Sequence, residues 1–208
     1  MNHNLYKVVI VDYDAGNPIS IKNMIKKIGY ESLISNRIED IKLASHLILP
    51  GVGHFKYGID QLKKTNLIPV LEDKVINEKT PLLGICLGMQ LLTASSEEGD
   101  AEGLNWIPST KTTSLKKSVK SLKIPHMGWN YVQPVDHVLF RGIVDPRFYF
   151  VHSYKVESES EAAILAKTTY EVPFISAIQK ENILGVQFHP EKSHRYGFQL
   201  LKNFVELV

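Results

Sequence analysis

The sequence holds a single cysteine, Cys86, among its 208 residues. One cysteine cannot form a disulfide within the chain, and it cannot alone supply the thiolate ligands of a structural zinc site. The lone thiol therefore indicates either a reducing compartment or a chemical role of its own.

Neither sign of charge dominates the chain. Its 24 lysines and arginines nearly balance its 22 aspartates and glutamates, for a formal net charge of +2 at pH 7, which gives no electrostatic case for nucleic acid binding. No apolar run approaches the roughly 18 residues of a membrane span. The apolar run after residue 7 is too short for a secretory signal, and no small-residue cleavage site follows it. We therefore expect a cytoplasmic protein that binds neither nucleic acid nor membranes.

The hydrophobic fraction of 44% is too high for a disordered chain of such low net charge. The length suits one large domain, and we expect residues 1–208 to form it. The first hundred residues alternate apolar runs with segments of helical period, which predicts a parallel sheet with right-handed crossovers. The predicted strands are 7–11, 30–35, 47–49 and 81–85.

The second half has little helical periodicity between its short strand-like runs. We predict these strands at 131–132, 148–151, 163–166, 174–178 and 183–188. The final segment returns to a helix, because apolar residues recur at helical spacing at Phe198, Leu201, Phe204 and Val205. Lysine-rich residues 111–123 are expected to be a solvated loop, or alternatively an edge that faces an anionic partner.

Cys86 lies where a predicted strand meets a predicted helix, with Gly84 two residues before it and Gly88 two residues after it. A lone cysteine is more often a small buried hydrophobic side chain. This setting, however, matches a nucleophile elbow, in which a strained strand-to-helix turn exposes the nucleophile and small neighbours let the turn form. The helix N-terminus favours the thiolate, and the N–H of Leu87 is placed to bind an oxyanion.

Of the eight histidines, His189 has the setting of a catalytic base. It ends the predicted strand 183–188, because Pro190 cannot continue the ladder of hydrogen bonds. Glu191, two positions on, can orient the imidazole ring. A His-Pro-Glu run alone is weak evidence, but together with the Cys86 elbow it predicts a Cys-His-Glu triad.

A second glycine-rich turn, residues 50–53, follows the predicted strand 47–49. It is either an ordinary loop or part of the site, and it lacks the lysine and the spacing of a phosphate-binding loop. If its strand neighbours that of Cys86, the turn lies at the sheet edge where ligands bind in open α/β sheets. An N–H of the Val52–Gly53 region would then be a second oxyanion donor.

Three runs together resemble the motifs of the class I (triad) glutamine amidotransferases, in the family's order: 50–53, 84–90 and 185–191. The resemblance implies a flavodoxin-like α/β fold with a mostly parallel central sheet, flanking helices and added antiparallel strands in the second half. It also implies that Cys86 is the nucleophile, His189 the general base and acid, and Glu191 its orienter. Gly53 and Leu87 would supply the oxyanion N–H groups, and neither a metal nor an organic cofactor is implied.

Further runs narrow the resemblance within this family. Met89, residues 125–130 and residues 149–154 are similar to the glutaminase subunits of imidazole glycerol phosphate synthases. Such subunits hydrolyse glutamine to glutamate and ammonia, which passes to a (β/α)₈-barrel cyclase in a heterodimer for histidine biosynthesis. Because the sequence spans one glutaminase domain, we expect the chemistry that uses the ammonia to belong to that partner.

The resemblance also assigns residues around the triad. The positions that hold the substrate glutamine in the family match Gln90, Glu98, Ser153 and Tyr154. The positions that face the cyclase match Asn17, Trp129, Asn130 and Lys192. Without the resemblance, these residues would be assigned to helix surface, loop caps, core or solvated side chains.

One position departs from the family, whose first loop usually reads Asp-Tyr-Gly-x-Gly-Asn. Asp14 replaces the first of those glycines. If the loop has positive φ there, aspartate adopts it more readily than most residues. The loop lies beside the partner in the family, so the change leaves the glutaminase chemistry intact. It leaves two pathways open for the ammonia, and histidine biosynthesis is the first of them. The alternative is a paralogue that supplies ammonia to amidate a sugar of a surface polysaccharide.

Two hypotheses from other classes remain at this point. A catalytically silent binding subunit would have an unreactive Cys86, and the complete triad argues against it. A cysteine peptidase or hydrolase on the same fold would need no glutamine site, and Gln90 within a complete motif argues against it.

Overall fold

The computed structural model describes residues 8–208, so Lys7, the first residue of the predicted strand 7–11, lies outside the described residues. In chain order the elements of the first half are β1 (Val8–Val11), α1 (Pro18–Lys27), β2 (Ser32–Ser35), α2 (Ile38–Lys42), β3 (His46–Leu49), α3 (Phe55–Lys64), α4 (Ile68–Glu72), β4 (Leu82–Ile85) and α5 (Leu87–Leu91). Those of the second half are β5 (Ser95–Ser96), β6 (Ala101–Glu102), β7 (Thr110–Ser114), β8 (His126–Tyr131), β9 (Gln133–Pro134), β10 (Arg147–His152), β11 (Tyr154–Ser158), β12 (Ile164–Tyr170), β13 (Val172–Lys180), β14 (Ile183–Val186) and α6 (His194–Leu207). Within residues 8–208, no helix is long and apolar enough to cross a membrane.

Five strands form the parallel part of the main sheet. β1 pairs in parallel with β2 and β3, β3 pairs with β4, and β4 pairs with β14. Every residue of β1, β3, β4 and β14 is buried, as expected for strands that are covered on both faces. The carboxyl ends of these strands therefore meet at one edge of the sheet.

Helices cover both faces of these strands. Val9 of β1 lies in an apolar core with side chains of α3 and α5. Val8 lies in a second core with side chains of α1 and α6. The alternation of side chains along each strand thus gives one core on each face of the sheet.

The second half of the chain extends the sheet with antiparallel strands. β14 pairs with β13, β13 pairs with β11 and β12, and β11 pairs with β7. β8 and β10 form a separate two-stranded antiparallel ribbon. The predicted flavodoxin-like α/β fold, with a parallel centre and antiparallel additions, is confirmed.

Three expectations about this half are wrong in their details. The lysine-rich segment 111–123 begins within β7, because its threonines pair with β11 and bury Thr112 and Thr113. The strand expected at 131–132 is the end of the longer β8, which stops before Val132. The strand expected to reach Phe188 ends at Val186, since the chain turns there toward the edge of the sheet.

A close approach between α5 and β3 fixes the position of Cys86. A Cβ atom on Gly88 would lie 1.9 Å from the carbonyl oxygen of Leu49, and one on Gly84 would lie 2.8 Å from the backbone of Gly88. Only glycine lets strand, turn and helix pack at this distance. The two glycines that flank the elbow therefore set the spacing between the end of β3 and the start of α5.

We expect Gly88→Ala to lower the free energy of unfolding by about 3 kcal/mol or more, because the added methyl group meets a backbone carbonyl and not a movable side chain. Gly29→Ala is the control, since a Cβ atom there meets nothing within 4 Å and only its φ of +92° resists the change, at about 1–2 kcal/mol. Urea titration of both variants measures the difference. Equal destabilisation would contradict the close-approach argument.

Candidate active site

A cavity of about 300 Å³ opens at the carboxyl edge of the parallel strands. Its lining residues are Val52, Gly53, Cys86, Leu87, Gln90, Glu98, Pro125, Val151, His152, Ser153, Tyr154 and His189. The cavity thus brings together every predicted catalytic, oxyanion and substrate residue except Glu191, which lies behind His189. In residues 8–208, no group of three or more His, Cys, Asp or Glu side chains is placed to hold a metal ion.

Cys86 occupies the predicted elbow between β4 and α5. It precedes the helix with φ 55° and ψ −110°, a conformation that is rare for residues other than glycine and costs about 1–3 kcal/mol. Its N–H donates to the carbonyl of Val186 at 2.8 Å, which ties the turn to β14. The elbow brings the sulfur to the cavity wall, although the residue is only 7% exposed.

His189 and Glu191 form the predicted pair. Nδ1 of His189 lies 2.7 Å from Oε1 of Glu191, and the side chains are only 1% and 3% exposed. Because the carboxylate can only accept a hydrogen bond, Nδ1 of His189 carries a proton. Nε2 is then the ring nitrogen that does not contact Glu191. That nitrogen makes no hydrogen bond of standard geometry to the described residues, so it is available for a proton transfer.

The electrostatics of His189 favour its charged form. Burial lowers the pKa of the ring, but the Cys86 sulfur and the Glu191 carboxylate raise it by more, and the net result is a pKa raised to about 10. His189 is therefore an imidazolium at pH 7. A cation beside the sulfur stabilises a thiolate, which is the nucleophilic form of cysteine.

Two backbone N–H groups at the cavity are free to bind an anion. Among the described residues, neither the N–H of Leu87 nor that of Gly53 donates a hydrogen bond. Gly53 has a φ of +106°, a conformation that side chains rarely adopt. Both residues line the cavity beside Cys86, so they remain the predicted donors of an oxyanion hole.

Two of the predicted substrate residues already have partners within the protein. Nε2 of Gln90 donates to the carbonyl of Tyr154 at 3.3 Å. Oε2 of Glu98 accepts the N–H of Phe55, the first residue of α3, at 2.8 Å. Gln90 is therefore a buried cavity residue and not a helix surface residue, and Glu98 both lines the cavity and caps a helix.

Two residues of the site escaped the sequence analysis. Gln187 is fully buried, and its Nε2 lies 3.6 Å from the sulfur of Cys86. His152 is a second histidine in the cavity wall. The sequence offers one signal for both, because Gln187 lies inside the motif run 185–191 and His152 inside the run 149–154.

The residues predicted to face a partner differ in their exposure. Trp129 is 37% exposed and stacks on His194, with ring centroids 5.6 Å apart. Lys192 is exposed, and its Nζ lies 5.8 Å from the ring centroid of Tyr149. Asn17 is exposed at the start of α1, where its side chain accepts the N–H of Ser20 at 3.4 Å. Asn130, in contrast, directs its amide inward, 3.3 Å from a ring nitrogen of His126.

The position that departs from the family pattern has the backbone conformation expected of it. Asp14 has a φ of 64°, so the left-handed conformation is kept without glycine. Its carboxylate accepts a hydrogen bond from the hydroxyl of Tyr57 at 3.2 Å. The substitution therefore ties the first loop to α3.

Comparisons with known proteins agree with this geometry. The family model for glutamine amidotransferase class-I matches residues 9–207. A Methanococcus maripaludis protein named imidazole glycerol phosphate synthase subunit HisH 2 is 54% identical over 96% of this chain and 98% of its own length. A Pseudomonas aeruginosa protein of the same name is 44% identical over 97% of this chain and 100% of its own. A crystal structure described as a glutamine amidotransferase superimposes with a TM-score of 0.74 over 96% of this chain and 97% of its own, at 17% identity.

We expect Glu191→Gln to lower the pKa of His189, because a neutral amide no longer stabilises the imidazolium. The ¹⁵N resonances of the ring, followed by NMR across neutral and alkaline pH, measure this. The wild-type ring should remain protonated well above pH 7, and the variant ring should lose its proton at lower pH. Glu181→Gln is the control, since that exposed carboxylate pairs with Lys79. The same titration curve in all three proteins would contradict the assigned role of Glu191.

Proposed function

The chain belongs to the class I glutamine amidotransferases, and from this membership we propose that it is the glutaminase subunit of an imidazole glycerol phosphate synthase. In this role it hydrolyses glutamine to glutamate and ammonia and delivers the ammonia to a separate cyclase subunit in histidine biosynthesis. The observation that carries the proposal is the elbow at Cys86 facing the buried His189–Glu191 pair across one cavity. The high identity to subunits of that name supports the choice within the family.

The first chemical step forms a covalent intermediate. The Cys86 thiolate attacks the side-chain carboxamide carbon of glutamine, and the negative charge that develops on oxygen is bound by the N–H groups of Leu87 and Gly53. The His189 imidazolium gives its proton to the nitrogen as the carbon–nitrogen bond breaks. Ammonia leaves, and a γ-glutamyl thioester remains on the sulfur.

The second step releases the product. His189, now neutral, takes a proton from a water molecule that attacks the thioester carbonyl. The carbon–sulfur bond breaks, glutamate leaves, and the thiolate–imidazolium pair is restored. Glu191 keeps its hydrogen bond to Nδ1 throughout, so the ring keeps its orientation while its charge changes.

The remaining predicted residues position the substrate in this scheme. Glu98 supplies a carboxylate for the α-ammonium group of glutamine. Gln90, Ser153 and Tyr154 supply neutral polar groups elsewhere in the cavity lining. A zwitterionic substrate fits a wall with one acidic and several neutral groups.

The cyclase is proposed to be a (β/α)₈ barrel that forms a heterodimer with this chain. The exposed side chains beside the triad, Trp129 and Lys192, support this side as the interface, together with Asn17 and the strand that carries Asn130. Aromatic and cationic side chains of this kind are enriched at protein interfaces. A thiol nucleophile must stay reduced, which supports the cytoplasm as the compartment.

Cys86→Ala should reduce glutamine hydrolysis by about 10⁴-fold or more, because the nucleophile is lost, and should leave the fold intact. Ammonia release is measured with and without the cyclase from the same organism and its nucleotide substrate. Wild-type activity should be low without the partner and should rise when both are added. Activity retained in the variant would refute the assignment of the nucleophile. A high rate in the unaccompanied wild-type chain would contradict control by a partner.

Complementation identifies the pathway. The gene, expressed with its cyclase, should restore growth without histidine to a strain that lacks its own glutaminase subunit, and the Cys86→Ala gene should not. Two of the relatives carry the number 2 in their names, so a role outside histidine biosynthesis needs a direct test. Failure to complement, with glutaminase activity intact, would favour the paralogue that amidates a polysaccharide sugar.

A further inference from the structure

Two histidines that the proposed mechanism does not use lie side by side in the ribbon formed by β8 and β10. His126 of β8 and His152 of β10 face each other across the antiparallel ribbon, and Nδ1 of His126 lies 3.0 Å from Nε2 of His152. Both residues are buried, and the His126 ring stacks on Phe150 and Tyr170. A hydrogen bond between two neutral imidazoles needs one donor and one acceptor, so the neighbouring groups decide the tautomers.

The groups at the two ends determine which nitrogen of each ring carries the proton. Nδ1 of His152 lies 2.7 Å from the carbonyl of Tyr154, which can only accept, so His152 is protonated at Nδ1 and its Nε2 accepts. The proton between the rings therefore belongs to Nδ1 of His126, whose Nε2 lies 3.3 Å from the amide of Asn130. Burial lowers the pKa of His126 to about 4 and that of His152 to about 3, so both rings are neutral at pH 7.

The orientation of the Asn130 amide is fixed as well. Its Nδ2 donates to the carbonyl of Thr169 at 2.9 Å, and its Oδ1 accepts the N–H of Tyr131 at 2.8 Å. Nδ2 is therefore the atom that faces His126. Every donor then points the same way, from Asn130 through the two rings to the Tyr154 carbonyl.

The same carbonyl is held from the side of the active site. Gln90 donates to it at 3.3 Å and to the side-chain oxygen of Gln187 at 2.9 Å. The amide nitrogen of Gln187 lies 3.6 Å from the sulfur of Cys86. One carbonyl thus joins the histidine chain to the side chains that surround the nucleophile.

We propose that Asn130, His126 and His152 are positioning residues that couple strand β8 to the glutamine cavity. This inference rests on the proposed glutaminase function. The opposite face of β8 carries the exposed Trp129, the residue proposed to meet the cyclase. A partner that binds this face acts on the strand that holds the donor chain, and the chain transmits its position to the Tyr154 carbonyl.

Nitrogen NMR of the full-length protein, labelled at histidine and held at neutral pH, tests the direction of the hydrogen bonds from Asn130 to Tyr154 without any measure of activity. His126 and His152 should both be neutral and protonated at Nδ1, and variants at position 126 assign the signals. A charged ring, or a proton on Nε2 of either ring, would overturn the proposal. The measurement stays decisive even if the wild-type complex releases no ammonia, an outcome that would refute the proposed function.

A matched pair of variants tests the coupling itself. Leucine and asparagine have nearly the same shape, but only the asparagine amide can donate to His152. In the complex with the cyclase, His126→Leu should lower kcat for glutamine hydrolysis about tenfold, as expected for one lost hydrogen bond, and His126→Asn should retain most of the activity. Equal losses in two variants of wild-type melting temperature, or no loss in either, would overturn the proposal. If the leucine variant does not fold, the NMR measurement of the two histidine tautomers decides whether the proposal stands.

Discussion

The site depends on how closely α5 can approach the end of β3. A Cβ atom on Gly88 would overlap the Leu49 carbonyl, and one on Gly51 would lie 2.6 Å from the N–H nitrogen of Gly88. A glycine of the loop after β3 thus meets a glycine in the first turn of α5. Their contact presses the turn after β3 against the start of α5, which is the reason why both candidate oxyanion donors, Gly53 and Leu87, lie beside one sulfur.

This contact explains how the strain at Cys86 is tolerated. A left-handed residue between a strand and a helix costs about 1–3 kcal/mol and persists only where its surroundings hold it. Here the elbow is held on one side by packing against β3 and on the other by the hydrogen bond from its N–H to Val186 of β14. β14 also leads to His189. The order of the parallel strands therefore both stabilises the elbow and brings His189, the proposed base, close to it.

The features that the sequence could predict are those encoded by residues close together in the chain. The spacing of Gly84, Cys86 and Gly88 specifies the elbow, and Glu191, the carboxylate that pairs with His189, lies only two positions after it. The contact of Gln187 with the sulfur of Cys86 joins residues just beyond the ends of two strands that are far apart in sequence, so no spacing encodes it. The pairing of His126 with His152 depends on the register of β8 against β10, which short apolar patterns do not determine. β7 was missed for a related reason, because its buried positions are threonines.

Of the two histidines in the cavity wall, His189 is charged and His152 is neutral, and their hydrogen-bond partners account for the difference. Burial lowers the pKa of both His189 and His152. His189 faces a carboxylate and a sulfur, which together reverse the effect, whereas His152 faces a carbonyl and a second imidazole, and the charge of His189 lowers its pKa further. The positive charge of His189 thus helps to keep the His152 ring neutral. A neutral His152 preserves a fixed donor to the cavity wall, so the proton transfers proposed for His189 need not rearrange the groups proposed to hold the substrate.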